Sequence, residues 1–263
     1  MTAALPTPER RVPPLGGFSM TFLRLEIRRI LRNRRTALFT LVMPPVFFLL
    51  FGGLSDAYRA ESAGRGNVSA YLMISFAVYG AMIANTSTGA SVSVERAQGW
   101  SRQLRLTPLD PMAYTATKVL TGMVMGAVPV LIVFAVGGLT GAAHMPGWAW
   151  VVSGLAAWVC AVVFAAFGLF IGHLVPSENV MQLLGPVLGL LALMGGIFVP
   201  LSSLSDTLQT LSSWTPAYGV GVLARAALVG DGVDTGAVLN LVVWTALFAA
   251  GAVWRFRRDT ARV

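Results

Sequence analysis

Six intervals of this chain run for about twenty residues or more without one Asp, Glu, Lys or Arg: 36–54, 68–94, 119–143, 148–174, 180–199 and 236–254. A soluble helix needs a polar face, whereas a segment crossing about 30 Å of hydrocarbon needs roughly 20 apolar residues in a row. The connectors are too short to hold a soluble domain. Charged residues make up 11% of the 263 and apolar ones 56%, against about 25% charged in an ordinary globular domain. The chain therefore reads as an all-α integral membrane protein of six spans. Cys160 is its single cysteine, which excludes an intrachain disulfide and a cysteine-built metal centre.

The runs differ in ways that forecast packing. Pro44-Pro45 removes two backbone donors from the first and predicts a kink. Asn85, Thr86, Ser87 and Thr88 in the second either fasten helices together or line a pathway. Gly154, Ala156, Ala157, Ala165, Ala166 and Gly168 in the fourth predict close helix contact. Gly185-Pro186, Gly189 and Gly195-Gly196 make the fifth irregular.

Residues 1–17 are proline-rich and read as a disordered tail. Over 18–35, Leu23, Ile27, Ile30 and Leu31 fall on one helical face and Arg24, Arg28, Arg32 and Arg35 on the other. That pattern predicts a helix lying in the membrane interface. A cleaved signal peptide fits less well, since its apolar core spans only about 7–15 residues. Between the last two spans, Leu201, Leu204, Leu208 and Leu211 recur at helical spacing, followed by Trp214 and Tyr218. This interval is expected to tuck against the outer boundary, with the two aromatics as interfacial anchors. Residues 256–263 form a basic tail.

Lys and Arg give the orientation. With six spans, sixteen fall on the side of the termini and three (Arg59, Arg65, Arg225) on the other. Short connectors with that bias place the basic side in the cytoplasm. The net charge of +8 is then a membrane-orientation signal rather than a nucleic-acid footprint. The interval 94–111 joins the second and third spans on that cytoplasmic side. Its Glu95, Arg96, Arg102 and Arg105 are expected to project into water, giving another protein a handle on the spans.

Catalytic motifs are missing. The sequence has no GxxxxGK[ST], HExxH or GxSxG. His173 and Glu178 could be drawn as an acid–base pair, but no nucleophile or ligand lies near them, and a solvated turn fits better. Lys118, Glu178 and Arg225 stand at span ends rather than within spans. A proton-driven transporter needs an ionisable carrier inside the membrane, so the energy source is expected to be external.

The handle carries a resemblance. Glu95-Arg96, Gly99, Leu104-Arg105, Thr107-Pro108, Pro111, Tyr114 and Lys118 resemble the E-R-x-x-G…L-R-x-T-P…P…Y…K run of type-2 ABC exporter permeases, the group of daunorubicin-resistance-like, polysaccharide and lipid exporters. Gly195-Gly196-Ile197-Phe198-Val199-Pro200-Leu201 with Leu204 is similar to the family's segment after the fifth span, and Trp214, Pro216, Tyr218 and Arg225 continue the likeness. Ser205 stands where the family has proline, and Trp100 where it has a small residue. The resemblance implies that 94–108 is a coupling helix seated in a separate ATPase, with Glu95, Arg96, Gly99, Trp100, Arg102, Arg105, Thr107 and Pro108 at that interface. It implies a connecting helix at 18–35 and an outer re-entrant helical hairpin involving Gly195, Gly196, Phe198, Pro200, Trp214 and Pro216. It also implies two ATPase subunits, which bind the ATP and Mg that this chain does not, and a second permease, identical or a paralogue. The substrate would be amphipathic, drug-like or lipid-like, and moved outward. An ion-coupled secondary transporter, a membrane enzyme and an immunity or signalling permease are the rival readings.

Overall fold

Ser19 starts the first helix, its hydroxyl accepting from the Thr21 amide at 3.2 Å; this cap satisfies a donor the helix cannot. In the computed structural model, which describes residues 14–100, 103, 107, 109–230 and 232–261, α1 runs Met20–Arg32. Residues 1–13 lie outside the described part, and Pro14–Gly17 forms a short 3-10 turn whose Gly16 carbonyl accepts from the Asp110 amide at 2.7 Å. The face of α1 differs from the forecast. Leu31 is exposed, while Glu26 is buried beside Leu23, for a reason given below.

Helix α2 (Arg34–Phe48) contains Pro44 and Pro45 and gives way to a wide π-turn at Leu49–Gly53. Pro44 meets Pro129 against Gly80, where an added Cβ would stand 2.7 Å from Pro129 Cβ and 3.0 Å from Pro44 Cγ. A short helix, α3 (Asp56–Ala60), and a two-residue antiparallel hairpin, β1 (Ser62–Ala63) with β2 (Gly66–Asn67), follow. Asn67 ends the hairpin, caps the next helix by accepting from the Ala70 amide at 2.9 Å, and donates to the Ala142 carbonyl at 2.8 Å.

The centre of the molecule is α4 (Val68–Ala97), about 45 Å long at 1.5 Å per residue. It packs chiefly on α5 (Pro111–Leu139) and α7 (Val162–Leu174). Where α4 and α7 cross, glycine meets backbone: a Cβ on Gly89 would lie 2.7 Å from the Gly168 carbonyl carbon, and one on Gly168 2.8 Å from Thr86 Cα. The small residues of the fourth interval thus allow the contact expected of them. Thr86 Oγ1 also donates across it to the Phe164 carbonyl at 3.4 Å.

Helix α5 is capped by Asp110 and begins at Pro111, ahead of the forecast 119. Its N-terminal turns supply Tyr114 and Lys118 to the site below. Helix α6 (Gly147–Val159) is separated from α7 by a turn at Cys160 and Ala161. Helix α8 (Ser177–Met194) leads through a 3-10 turn at Leu201–Ser203 into α9 (Asp206–Ser213) and α10 (Pro216–Val229), and α11 (Thr235–Ala261) closes the chain. Helix α11 continues through most of the interval read as a basic tail.

The interval 201–234 departs most from a surface-lying segment. Leucine spacing gives α9, but α10 is buried along Ala217, Val220, Ala224 and Leu228 and packs on α4, α6 and α11. Asn240 of α11 donates to the Ser213 and Thr215 carbonyls at 2.8 and 3.1 Å, and the Trp244 indole to the Trp214 carbonyl at 2.9 Å. Trp244 lies nine residues into α11, so this turn sits about 13 Å down that helix.

Among the described residues, four helical stretches are long and apolar enough to cross a membrane: Val68–Ala97, Met112–Leu139, Gly147–Leu174 and Thr235–Phe256. Leu38–Gly53, Gln182–Met194 and Pro216–Val229 are apolar but shorter. Of the apolar window of α4, 72% is buried, against 11% for α11, so α4 is the axis and α11 the periphery. The chain is an all-α multi-pass membrane protein.

Candidate functional site: an ion cluster at the root of the handle

Glu95 does not project into water. It is 3% exposed at the end of α4 and takes Lys118 and Tyr114 from α5 and Arg29 from α1. Lys118, 1% exposed, sits between two carboxylates, its Nζ 2.5 Å from Glu95 Oε1 and 2.7 Å from Glu26 Oε2. Arg29 pairs with Glu26 at 3.2 Å as well as with Glu95. The Tyr114 hydroxyl donates to Glu95 Oε2, and the Tyr114 ring lies 5.3 Å from the Lys118 ammonium. Two acids and two bases cancel, and each charge has a bonded partner. That is the condition under which ions tolerate burial.

Spacing explains how three helices deliver these groups. Glu26 and Arg29 are three apart on α1, and Tyr114 and Lys118 four apart on α5, so each pair shares a face. Glu26 takes an inward place among the leucines of α1 because Lys118 waits there. Burial pulls the Arg29 guanidinium toward lower pKa, but the charges of Glu95 and Glu26 outweigh it and hold the group above its ordinary value.

Arg96, one residue on, points about 100° away around α4. Its guanidinium donates to the carbonyls of Gly172 and His173 at 3.3 and 2.7 Å, at the C-terminal end of α7, where carbonyls lack helical partners and a cation is favoured. Arg255 of α11 approaches the same His173 carbonyl at 3.5 Å. Adjacent residues of α4 thus tie its end to α1 and α5 on one side and to α7 and α11 on the other. His173 itself is 4% exposed, its ring edge-on to Phe256 at 5.5 Å. It is not the solvated turn residue of the sequence reading.

Beyond this root, Gly99 has φ +76° with nothing within 4 Å of an added Cβ. Its glycine answers a left-handed turn, not a close approach. Trp100 is 38% exposed and Thr107 lies in an exposed turn. Arg102, Arg105 and Pro108 fall outside the described residues.

On the far side, Gly195 abuts α10, where a Cβ would stand 2.5 Å from Ala217 Cβ, and Gly196 turns with φ +68°. Phe198 packs on Tyr79 at 4.8 Å and Phe76 at 6.0 Å. Pro200 precedes the 3-10 turn, Trp214 sits in the α9–α10 turn, and Pro216 opens α10 at the position where its missing N–H costs nothing.

Arg225 corrects the sequence reading again. It lies inside the bundle at 4% exposure, donating to Ser75 Oγ at 3.2 Å with its guanidinium 4.7 Å from the Tyr71 ring centre. Among the described residues it forms no ion pair. Replacing Arg225 by Met is expected to change stability by no more than about 1 kcal/mol, because relief of a buried uncompensated charge offsets a cation–π contact of about 2 kcal/mol. Thermal unfolding in detergent checks this; a loss of several kcal/mol would mean the cation has a partner worth that much.

The sequence reading missed Glu26, Arg29, Tyr114 and Lys118 as a site. The i,i+3 and i,i+4 pairs and the motif string carried the signal, but nothing in the sequence showed that three helix ends converge. Among the described residues, no group of His, Cys, Asp or Glu is arranged to hold a metal.

Two comparisons bear on this arrangement. Residues 52–255 match the family model described as ABC-2 family transporter protein. The chain is also 27% identical over 224 residues to YvfS of Bacillus subtilis (strain 168), named as a transport permease, with 85% of this chain and 90% of YvfS covered.

Proposed function

Because the chain belongs to the ABC-2 family of transporter proteins, we propose that it is the membrane subunit of an ATP-driven exporter whose ATPase is a separate protein. Two ATPase subunits and a second permease, identical or a paralogue, complete the working complex, and ATP and Mg belong to the ATPases. The complex resides in a bacterial inner membrane with both termini of this chain in the cytoplasm, as the excess of Lys and Arg on that side supports. The chain crosses six times. Helices α2 and α8 are the short crossings, which local thinning of the bilayer accommodates at modest cost. The α9–α10 hairpin is re-entrant from the outside, since its turn lies well down α11. The cargo is an amphipathic molecule, drug-like or lipid-like, carried outward.

The observation that carries this reading is the double fastening of the α4 end. A push on 98–108 reaches α1 and α5 through Glu95 and α7 through Arg96, and Arg255 joins α11 to the same α7 carbonyl. A loop tied to one helix would flex, whereas one tied on both sides moves the bundle as a body. Ion-coupled transport is less well supported. Buried carboxylates do exist here, contrary to the sequence reading, but Glu26 and Glu95 are both paired with Lys118 and Arg29 at the end of the helices where the handle begins.

Affinity purification in mild detergent is expected to bring an ABC ATPase with the chain. In proteoliposomes of that complex, deletion of Gln98–Arg105 should abolish stimulated ATP hydrolysis and transport while the permease still folds. Gly99→Ala, which forces a side chain into φ +76° at about 1–2 kcal/mol, should lower transport several-fold with little change in assembly. Transport by the isolated chain without nucleotide would overturn the proposal.

A further inference from the structure

Against the ion cluster, and sharing Arg29 and Glu95 with it, α1, α2, α4 and α5 leave a recess of about 280 Å³. Its polar lining is Arg29, Asn33, Thr40, Ser87, Thr88, Ser91, Glu95 and Gln98, with Ile30, Ala84, Val94 and Met125 as apolar wall. Four of these come from one face of α4 at steps of three and four (84, 87, 88, 91), so the stripe follows from helical period alone. From this lining we infer that the recess receives the polar head of an amphiphile arriving from the cytoplasmic leaflet, and that the preferred head is uncharged and rich in hydrogen-bond donors, such as a sugar or polyol. The inference rests on the transport reading and names the cargo's first docking place.

Three properties select that chemistry. The charges in the lining cancel: Arg29 and Glu95 belong to the neutral cluster with Glu26 and Lys118. An ionic head would lose its hydration without gaining an opposite charge. Two of the hydroxyl protons are committed within α4, Thr88 donating to the Ala84 carbonyl and Ser91 to the Thr88 carbonyl, each at 2.8 Å. Their oxygen lone pairs are what they still offer, and these accept from O–H or N–H donors. The volume is below the usual range of about 300–1,000 Å³ for pockets that enclose whole drug-sized ligands. It suits a head group whose chain stays in lipid, and the basic interfacial helix α1 forms one wall at the depth where such heads lie.

The test uses the full chain in nanodiscs with Cys160→Ala and Ser87→Cys, and follows how fast a water-soluble maleimide labels the introduced thiol. Adding monoglucosyl diacylglycerol to phosphatidylcholine discs is expected to slow labelling about tenfold at saturating lipid. Phosphatidic acid, and phosphatidylcholine alone, should leave the rate unchanged. Thr88→Val, nearly isosteric but without the acceptor, should abolish the protection, and a thiol at exposed Ser203 should label at one rate in all lipids. Equal protection by phosphatidic acid would make this an anion site and overturn the inference, as would no protection by either lipid. Native mass spectrometry of the unsubstituted chain should show the glucolipid retained over phosphatidylcholine, and equal retention would count against the inference even if the cysteine variant failed to fold. No nucleotide is present, so a negative result leaves the ATP-driven reading standing. Loss of that reading in proteoliposomes would leave the labelling pattern as it is.

Discussion

Glu95→Ala is expected to destabilise the protein by about 3–5 kcal/mol, the usual cost of stranding one member of a buried ion group. Lys118, with 0% of its side chain exposed, and Arg29 would keep only Glu26, and the Tyr114 hydroxyl would lose its acceptor. Glu95→Gln keeps hydrogen-bonding capacity but leaves one positive charge in excess, so an intermediate loss is expected. The informative variant is the pair Glu95→Ala with Lys118→Met. It leaves Glu26 with Arg29, neutral again, and should be more stable than Glu95→Ala alone, a coupling that a double-mutant cycle reads directly. Thermal unfolding in detergent, followed by size-exclusion profile, measures all four proteins. Additive losses for the two single changes would show that the cluster is not a unit, and the fastening of the handle to α1 and α5 would fall with it.

Gly168→Ile should be as damaging for a different reason. Ionic partners can shift; backbone cannot. A Cβ at Gly168 would meet Thr86 Cα at 2.8 Å, and one at Gly172 would meet Ala90 Cα at 3.1 Å, so these two glycines, four apart, form the flat side of α7 on which α4 lies. A branched side chain there must push apart the two helices that hold most of the core. Overpacking of this kind costs about 3 kcal/mol or more, and here it is expected to abolish a monodisperse folded species. Gly185→Ala is the control. Nothing lies within 4 Å of an added Cβ there, and an exposed helical glycine replaced by alanine should gain up to about 1 kcal/mol. Equal behaviour of the two variants in fluorescence-detected size exclusion would refute close packing at the α4–α7 crossing.

Much of this architecture is written in the order of residues. Charge-free runs of membrane length specify helices that cross a bilayer, because hydrocarbon accepts few other backbones. The Arg-rich stretch before Thr36 specifies a helix of its own, α1. Small residues on α7 specify a tight crossing, since only glycine and alanine let two backbones touch. Each of these follows from a property of one segment by itself.

The rest needed segments to meet. Glu95 and Arg96 look alike in sequence, two charged neighbours at a helix end, and only the helices around them decide that one closes a neutral cluster with α1 and α5 while the other grips the end of α7. Glu26 looks like a lone acid misplaced on an apolar face until Lys118 arrives from a helix 92 residues away. Helix α10 reads as part of a segment tucked against the outer boundary because no local pattern shows that Arg225 can be buried against a Ser75 hydroxyl and a Tyr71 ring. Hydrophobic length acts locally and survives in a string of letters. The cancellation of charges acts between distant residues, and it takes form only when the chain has folded.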